Sequence, residues 1–315
     1  MSYRMNESGE KVILSVLIGA DTSLVGLRVN HSKIISMKFG ELDSIIQEAY
    51  GIAEKNRFLN SVMDHYRLPT VPGKASNLSD CDLVVLETTC ENPSDYFATD
   101  TILKALKLYH GADIYSCYSV NYRFENGKIC FGGLGETVQY RHAIGFVKPH
   151  YSLTEQEKTD FPSWYSSVFL KMIQPCCSDG YRAMVHRYDI SYMIGICEAE
   201  YVMLFTNLEA LFGTDLAKIT SHIAKGTSAL LGGSSKEKSY IRNRIYKLYD
   251  VRSRYVHDGK AVPQKFLFEL REIVRRVLVE ICSRGYHTKD KSLDELKNML
   301  LPVSTKTSED TKKEE

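Results

Sequence analysis

Arg252 and His257 stand five residues apart in the stretch YKLYDVRSRYVHDG, from Tyr246 to Gly259. Between them they offer a fixed cation and a group that titrates near neutral pH. That pair suits phosphodiester chemistry without a metal: an imidazole moves a proton while a guanidinium holds the charge growing on the phosphoryl oxygens. On a helix turning 100° per residue, Ile241, Ile245, Leu248, Tyr249, Tyr255 and Val256 share one face, and Arg252 falls near its middle. An unpaired guanidinium is costly to bury, so Arg252 requires a partner carboxylate, a partner subunit or an anionic ligand. On a continuous helix His257 points about 140° away from Arg252. Asp258-Gly259 reads as a stop, with glycine as the left-handed cap; a helix ending at His257 frees the ring to converge on Arg252.

Other residues can support that chemistry. Ser253 can donate a hydrogen bond, and Asp258 either orients His257 and raises its pKa or repels a phosphate. Glu209 is a candidate partner for Arg252, or else a carboxylate on the exposed flank of a long helix. Arg187 can bind phosphate or pair structurally with Asp189 or Asp250. Residues 236–260 hold eight Lys and Arg against three acids, a local balance of +5 in a chain of formal net charge +1. Arg242, Arg244, Lys247 and Arg254 therefore form a local footprint for a polyanion, or a solvated helix face. Tyr240 and Tyr246 interleave with these charges, where they can stack on unpaired bases.

Helices must position these groups. From Arg187 to Leu211, Ile190, Ile194, Cys197, Tyr201, Leu204, Leu208 and Leu211 alternate by four and three, which predicts one long helix ended by Gly213. A second helix is expected over Leu216–Leu231, stopped by Gly232-Gly233, and a third from Ser234 or Ser235 carries Arg252. A fourth, over Pro263–Arg284, places Phe266, Leu270, Ile273, Val277 and Ile281 on one side. Short loops between them predict a four-helix bundle.

NLEALFG at Asn207–Gly213, LYDVRSRYVHDG at Leu248–Gly259 and the pair Arg187-Tyr188 resemble the HEPN superfamily, and within it the Apea-like group. The resemblance covers about residues 181–286. It implies a metal-independent endoribonuclease, free of cofactors, whose Arg and His from two subunits line a composite cleft. Arg252 would be the anion-binding residue and His257 the acid–base residue. The 2'-hydroxyl of RNA would attack its own phosphate and leave a 2',3'-cyclic phosphate and a 5'-hydroxyl. A toxin or antiviral effector acting on RNA would fit, with an antitoxin or trigger as further partner. The chain departs from the family at Ser253, where Asn or Asp is common, and at Asp258, where Gly is common. The alternative is a non-catalytic bundle that dimerises or holds a ligand or RNA.

The fold expected overall is an α+β N-terminal domain (1–150), a linker with a short helix (151–180), an all-α HEPN-type four-helix bundle (181–288), and a short helix with a disordered tail (289–315). With 315 residues and 43% hydrophobic content the chain can bury two cores. Eight cysteines without C-x-x-C spacing indicate neither a zinc site nor a disulfide scaffold, and reduced cytoplasmic thiols are the expectation. No apolar run is long enough to span a bilayer, and Val12–Ala20 reads as a strand rather than a signal peptide. Strands are expected over Val12–Leu17, Leu24–Val29, Lys33–Lys38, Asp82–Leu86, Asp113–Tyr122, Lys128–Phe131 and Tyr140–Phe146. Helices are expected over Leu42–Lys55 and Tyr96–Leu108, with a hairpin at Glu125-Asn126-Gly127. Gly132–Gly135 lacks the Lys-Ser/Thr of a phosphate loop and reads as a turn. His65, His110, His142 and His150 are too scattered for a metal site. The domain's own residues name no ligand; by resemblance it is a sensor or recognition domain.

Overall fold

A computed structural model describes residues 11–66, 78–91, 95, 97–111, 113–126, 128–131, 151–213 and 218–301. The chain divides into two compact units, Met1–Phe169 and Leu170–Glu315. The first is built on an antiparallel sheet and the second is mostly helical.

In the first unit β1 (Lys11–Ile18), β2 (Arg28–Val29) and β3 (Ser32–Lys38) precede α1 (Phe39–Tyr50) and α2 (Ile52–Tyr66); β4 (Asp82–Cys90), α3 (Ala98–His110), β5 (Tyr115–Glu125), β6 (Lys128–Phe131) and α4 (Glu155–Trp164) follow. The sheet runs β2-β3-β4-β1-β5-β6 with antiparallel neighbours. β1 is central and buried along both faces, which explains its nearly continuous apolar run. Val12, Leu14 and Val16 pack with Leu42 and Ile46 of α1 and Phe58 of α2. The single hydroxyl inside that run, Ser15, bonds Thr99 of α3 at 2.9 Å and Ser119 of β5 at 2.8 Å. The β5–β6 hairpin pairs Glu125 with Lys128, and Asn126 takes positive φ (53°) at its turn.

Two expectations for this unit need correction. The helix expected through Lys55 breaks at Gly51, whose φ of 86° ends α1 while its N–H caps Gln47. The strand expected over Leu24–Val29 shrinks to Arg28–Val29, because Asp21 caps a 3-10 turn over Thr22–Leu24. Tyr140–Phe146, Gly132–Gly135, His142, His150 and Pro302–Glu315 lie outside the described residues, as does the His65 side chain.

The stretch read as a linker divides between the units. Tyr151 pairs with Ala20, and Thr154 opens α4 through a capping box with Glu157. Trp164 and Phe161 meet the Tyr109 ring at centroid distances of 5.0 and 5.1 Å, and His110 pairs with Glu157 at 2.8 Å. The part from Tyr151 to Trp164 is thus packed within the first unit.

The second unit opens with a short α5 (Leu170–Met172), followed by α6 (Asp179–Ile194), α7 (Cys197–Phe212), α8 (Ile219–Leu231), α9 (Ser235–Asp258), α10 (Gln264–Ser283) and α11 (Leu293–Leu300). The long helix expected from Arg187 to Leu211 is two helices. Gly195 turns left-handed (φ 71°) and ends α6, and α7 folds back along it. Glu200 fixes that break by accepting the Gly195 N–H at 3.2 Å while pairing with Arg271 of α10. Leu204, Leu208 and Leu211 of α7, Ile245 and Leu248 of α9, and Leu270, Val274, Val277 and Ile281 of α10 fill the core. Among the described residues no helix is long and apolar enough to cross a membrane.

Gly226, in the middle of α8, shows how tightly α7 and α8 pack. A Cβ there would overlap the ring of Phe212, which is wholly buried. In an open helix Gly→Ala gains about 1 kcal/mol. Here overpacking, which typically costs about 1–3 kcal/mol, should win. Gly226→Ala is expected to lower the urea midpoint; a raised midpoint would show that Phe212 can move aside.

Candidate functional site

α9 is defined at both ends by its sequence. Ser234 and Glu237 form a capping box at the start, and Gly259 in the left-handed region (φ 66°) closes it, its N–H bonding the Tyr255 carbonyl. The helix runs on through Asp258, so His257 stays on the helical path and does not swing toward Arg252. Five helical steps then place the two side chains about 140° apart. His257 is exposed, and Arg252 turns in toward α7.

The buried stripe of α9 is Ile245, Leu248 and Val251, centred nearer Leu248 than Arg252. Val256, expected on that stripe, is 47% exposed. Arg252 lies at the stripe's edge, 22% exposed, with an amino group 3.3 Å from the carboxylate of Glu209, itself 20% exposed. The contact is an ion pair by distance without hydrogen-bond alignment: Nε of Arg252 and Oε1 of Glu209 are both buried with no hydrogen-bond partner. The Tyr249 ring lies 5.6 Å from the guanidinium. Glu209 is therefore beside Arg252 rather than on an exposed flank.

An open groove of about 720 Å³ adjoins this pair. Ala199, Val202, Met203 and Thr206 of α7 form one wall, and Tyr255 and Val256 of α9 the other, with Arg187 of α6 also lining it. Thr206 precedes Glu209 by three residues and Tyr255 follows Arg252 by three, so the ion pair lies one turn from the groove on both helices. Arg187 donates to Oδ1 of Asn207 at 3.0 Å, and Asn207 donates through Nδ2 to the Met184 carbonyl at 3.1 Å. Neither Asp189 nor Asp250 holds Arg187; Asp250 pairs with Arg254 at 2.8 Å.

No family model, curated protein or solved structure matches this chain.

The remaining candidates scatter. Nε of Arg244 meets Glu269 of α10 at 2.6 Å, which spends its charge inside the bundle. Asp258 pairs with Lys260 at 3.6 Å. Arg242, Lys247, Tyr240 and Tyr246 lie on the exposed face of α9, and Ser253 is partly buried. The residue that sequence reasoning missed is Asn207, whose side chain is fully buried. Its signal was an amide amid the apolar positions of NLEALF, since a buried amide is retained only where hydrogen bonds satisfy it.

Proposed function

We propose that the second unit is a HEPN-type four-helix domain acting as a metal-independent endoribonuclease, with a composite Arg252/His257 site completed by a second copy of the chain. The observation that carries this reading is the divergence of Arg252 and His257 on an unbroken α9. Within one chain they cannot grip one phosphate. Across a two-fold axis, His257 of one copy can approach Arg252 of the other. Exposed Met193 and Ile196, at the turn between α6 and α7, supply apolar surface for that copy.

In the reaction, the RNA 2'-hydroxyl forms the new P–O bond as the 5'-oxygen leaves. His257 accepts the hydroxyl proton or returns one to the leaving oxygen. Arg252 stabilises the equatorial oxygens. A toxin or antiviral effector is the role this activity would serve, with the first unit as the place for a trigger or antitoxin to act.

One observation favours a second reading. Arg252 already faces Glu209, so a bundle that dimerises or holds RNA without cutting it would use Arg252 structurally. Incubation of the purified chain with cellular RNA in EDTA separates the two. Fragments ending in 2',3'-cyclic phosphate support the nuclease; intact RNA that is nevertheless bound supports the second reading.

A further inference from the structure

The charge in the groove does not belong to Arg252. Glu209 offsets Arg252, Glu269 offsets Arg244, Asp250 offsets Arg254, and the buried Arg271 is offset by Glu200. Arg187 has no carboxylate partner among the described residues. Arg242 shares that property, but it is exposed. Arg187 is half-buried, lines an apolar groove, and is held on one edge by a neutral amide. Asn207 is itself anchored: it is fully buried, and its Nδ2 is committed to the Met184 carbonyl, which turns Oδ1 toward the guanidinium. An aspartate in the same place would cancel the charge. The asparagine holds the arginine in position and leaves the charge unspent.

We infer that Arg187, oriented by Asn207, is the phosphate-binding residue of the groove, and that the groove takes one nucleotide unit of a single-stranded nucleic acid. A partly desolvated guanidinium without a counter-charge favours an anion more strongly than one in open water. Its fork matches phosphoryl oxygens. Tyr255 and Met203 give the walls a ring and a polarisable side chain against which a base can lie flat. Thr206 contributes no hydroxyl donor, because its Oγ1 already donates to the Val202 carbonyl at 3.1 Å. The groove reads size and charge with little means of distinguishing bases. The choice of a phosphodiester over another anion rests on the ribonuclease reading; the uncompensated cation does not.

The test is fluorescence anisotropy with an end-labelled single-stranded oligonucleotide of 2'-deoxy units, which lacks the attacking hydroxyl, over a series of salt concentrations. The full chain should bind it. Arg187→Gln should weaken binding at least tenfold and reduce the salt slope by about 0.7, the share of one phosphate contact on a single strand. Asn207→Asp, which places a carboxylate against Arg187 and replaces the Nδ2 donor to the Met184 carbonyl with an acceptor, should also weaken binding and reduce the slope, at a cost in thermal stability. Arg182→Gln removes a cation from the same helix outside the groove, and should change neither quantity. The inference is overturned if the wild-type chain does not bind the oligonucleotide, if it takes up a simple carboxylate such as decanoate in preference, or if Arg187→Gln leaves affinity and slope unchanged. Arg187-dependent binding by a chain that cuts no RNA would sink the nuclease and leave this site standing. RNA cutting that survives Arg187→Gln with unchanged KM would do the reverse.

Discussion

His257→Ala and Arg252→Ala, each inactive alone, should regain RNA cleavage when mixed. Removing a positioned acid–base group costs about 10²–10⁴ in rate, and removing a residue that stabilises the transition-state oxyanion about 10²–10³. Each single variant should therefore show little EDTA-resistant cutting. In a mixed dimer, however, the His257→Ala chain still supplies Arg252 and the Arg252→Ala chain still supplies His257, which makes one intact composite site. With free exchange of subunits half of the dimers are mixed and each has one of two sites, so about a quarter of wild-type activity is expected. Recovery of that size, absent from either variant alone, would place Arg252 and His257 of different copies at one phosphate. Two well-folded variants that stay inactive together, beside an active wild type, would put the site within a single chain. The recovery should also vanish on dilution below the dimer dissociation constant, because mass action governs the mixed species.

The largest effect on stability is expected at Glu200 and Arg271. Their side chains are 4% and 3% exposed, the guanidinium lies 4.3 Å from the Tyr192 ring, and Glu200 also accepts the Gly195 N–H. Deleting one member of a buried pair leaves the other charge in a low-dielectric interior, at a cost of about 3–5 kcal/mol. Glu200→Ala should cost slightly more than Arg271→Ala, since it also releases the amide that fixes the α6–α7 break. A double change to Glu200→Leu with Arg271→Met should recover much of the loss, because an apolar pair of similar volume is often neutral or stabilising. Equilibrium denaturation of these proteins measures the losses and the recovery, and adding the Glu200→Ala/Arg271→Ala double variant closes the cycle that gives the coupling. Single variants that unfold within about 1 kcal/mol of wild type would show that water reaches the pair and solvates what remains.

Much of the helical unit could be read from the chain, because caps are local. Ser234 with Glu237 starts α9 and Gly259 ends it, and in the first unit Thr154 with Glu157 likewise starts α4, each where a side chain or a positive φ satisfies an orphaned end. The Gly195 break was harder to see. The four-three alternation of apolar residues continues across it from Ile190 to Leu211, since α6 and α7 both bury faces in one core. A lone glycine in such a pattern costs only about 1 kcal/mol and does not by itself mark an end. Gly51 hid the α1–α2 break for the same reason. At the site, the cost of burying a cation called for a counter-charge at Arg252 and made Glu209 one candidate, without deciding between that role and an exposed flank. The position of His257 did not follow, because a glycine cap does not say whether Asp258 takes one more helical step. That Asn207 holds Arg187 depends on how two helices fold back on each other, and no spacing along one helix records it.

The turn at Gly195 also has a consequence in time. Arg187 and Asn207 are 20 residues apart along the chain, whereas Glu209 and Arg252 are separated by 252 − 209 = 43 positions. Closing the shorter loop costs about 0.7 kcal/mol less in chain entropy. The hairpin is also complete before α9 has been synthesised. The wall bearing Arg187 is therefore the early half of the groove, and α9 with Tyr255 and Arg252 is the half that arrives last.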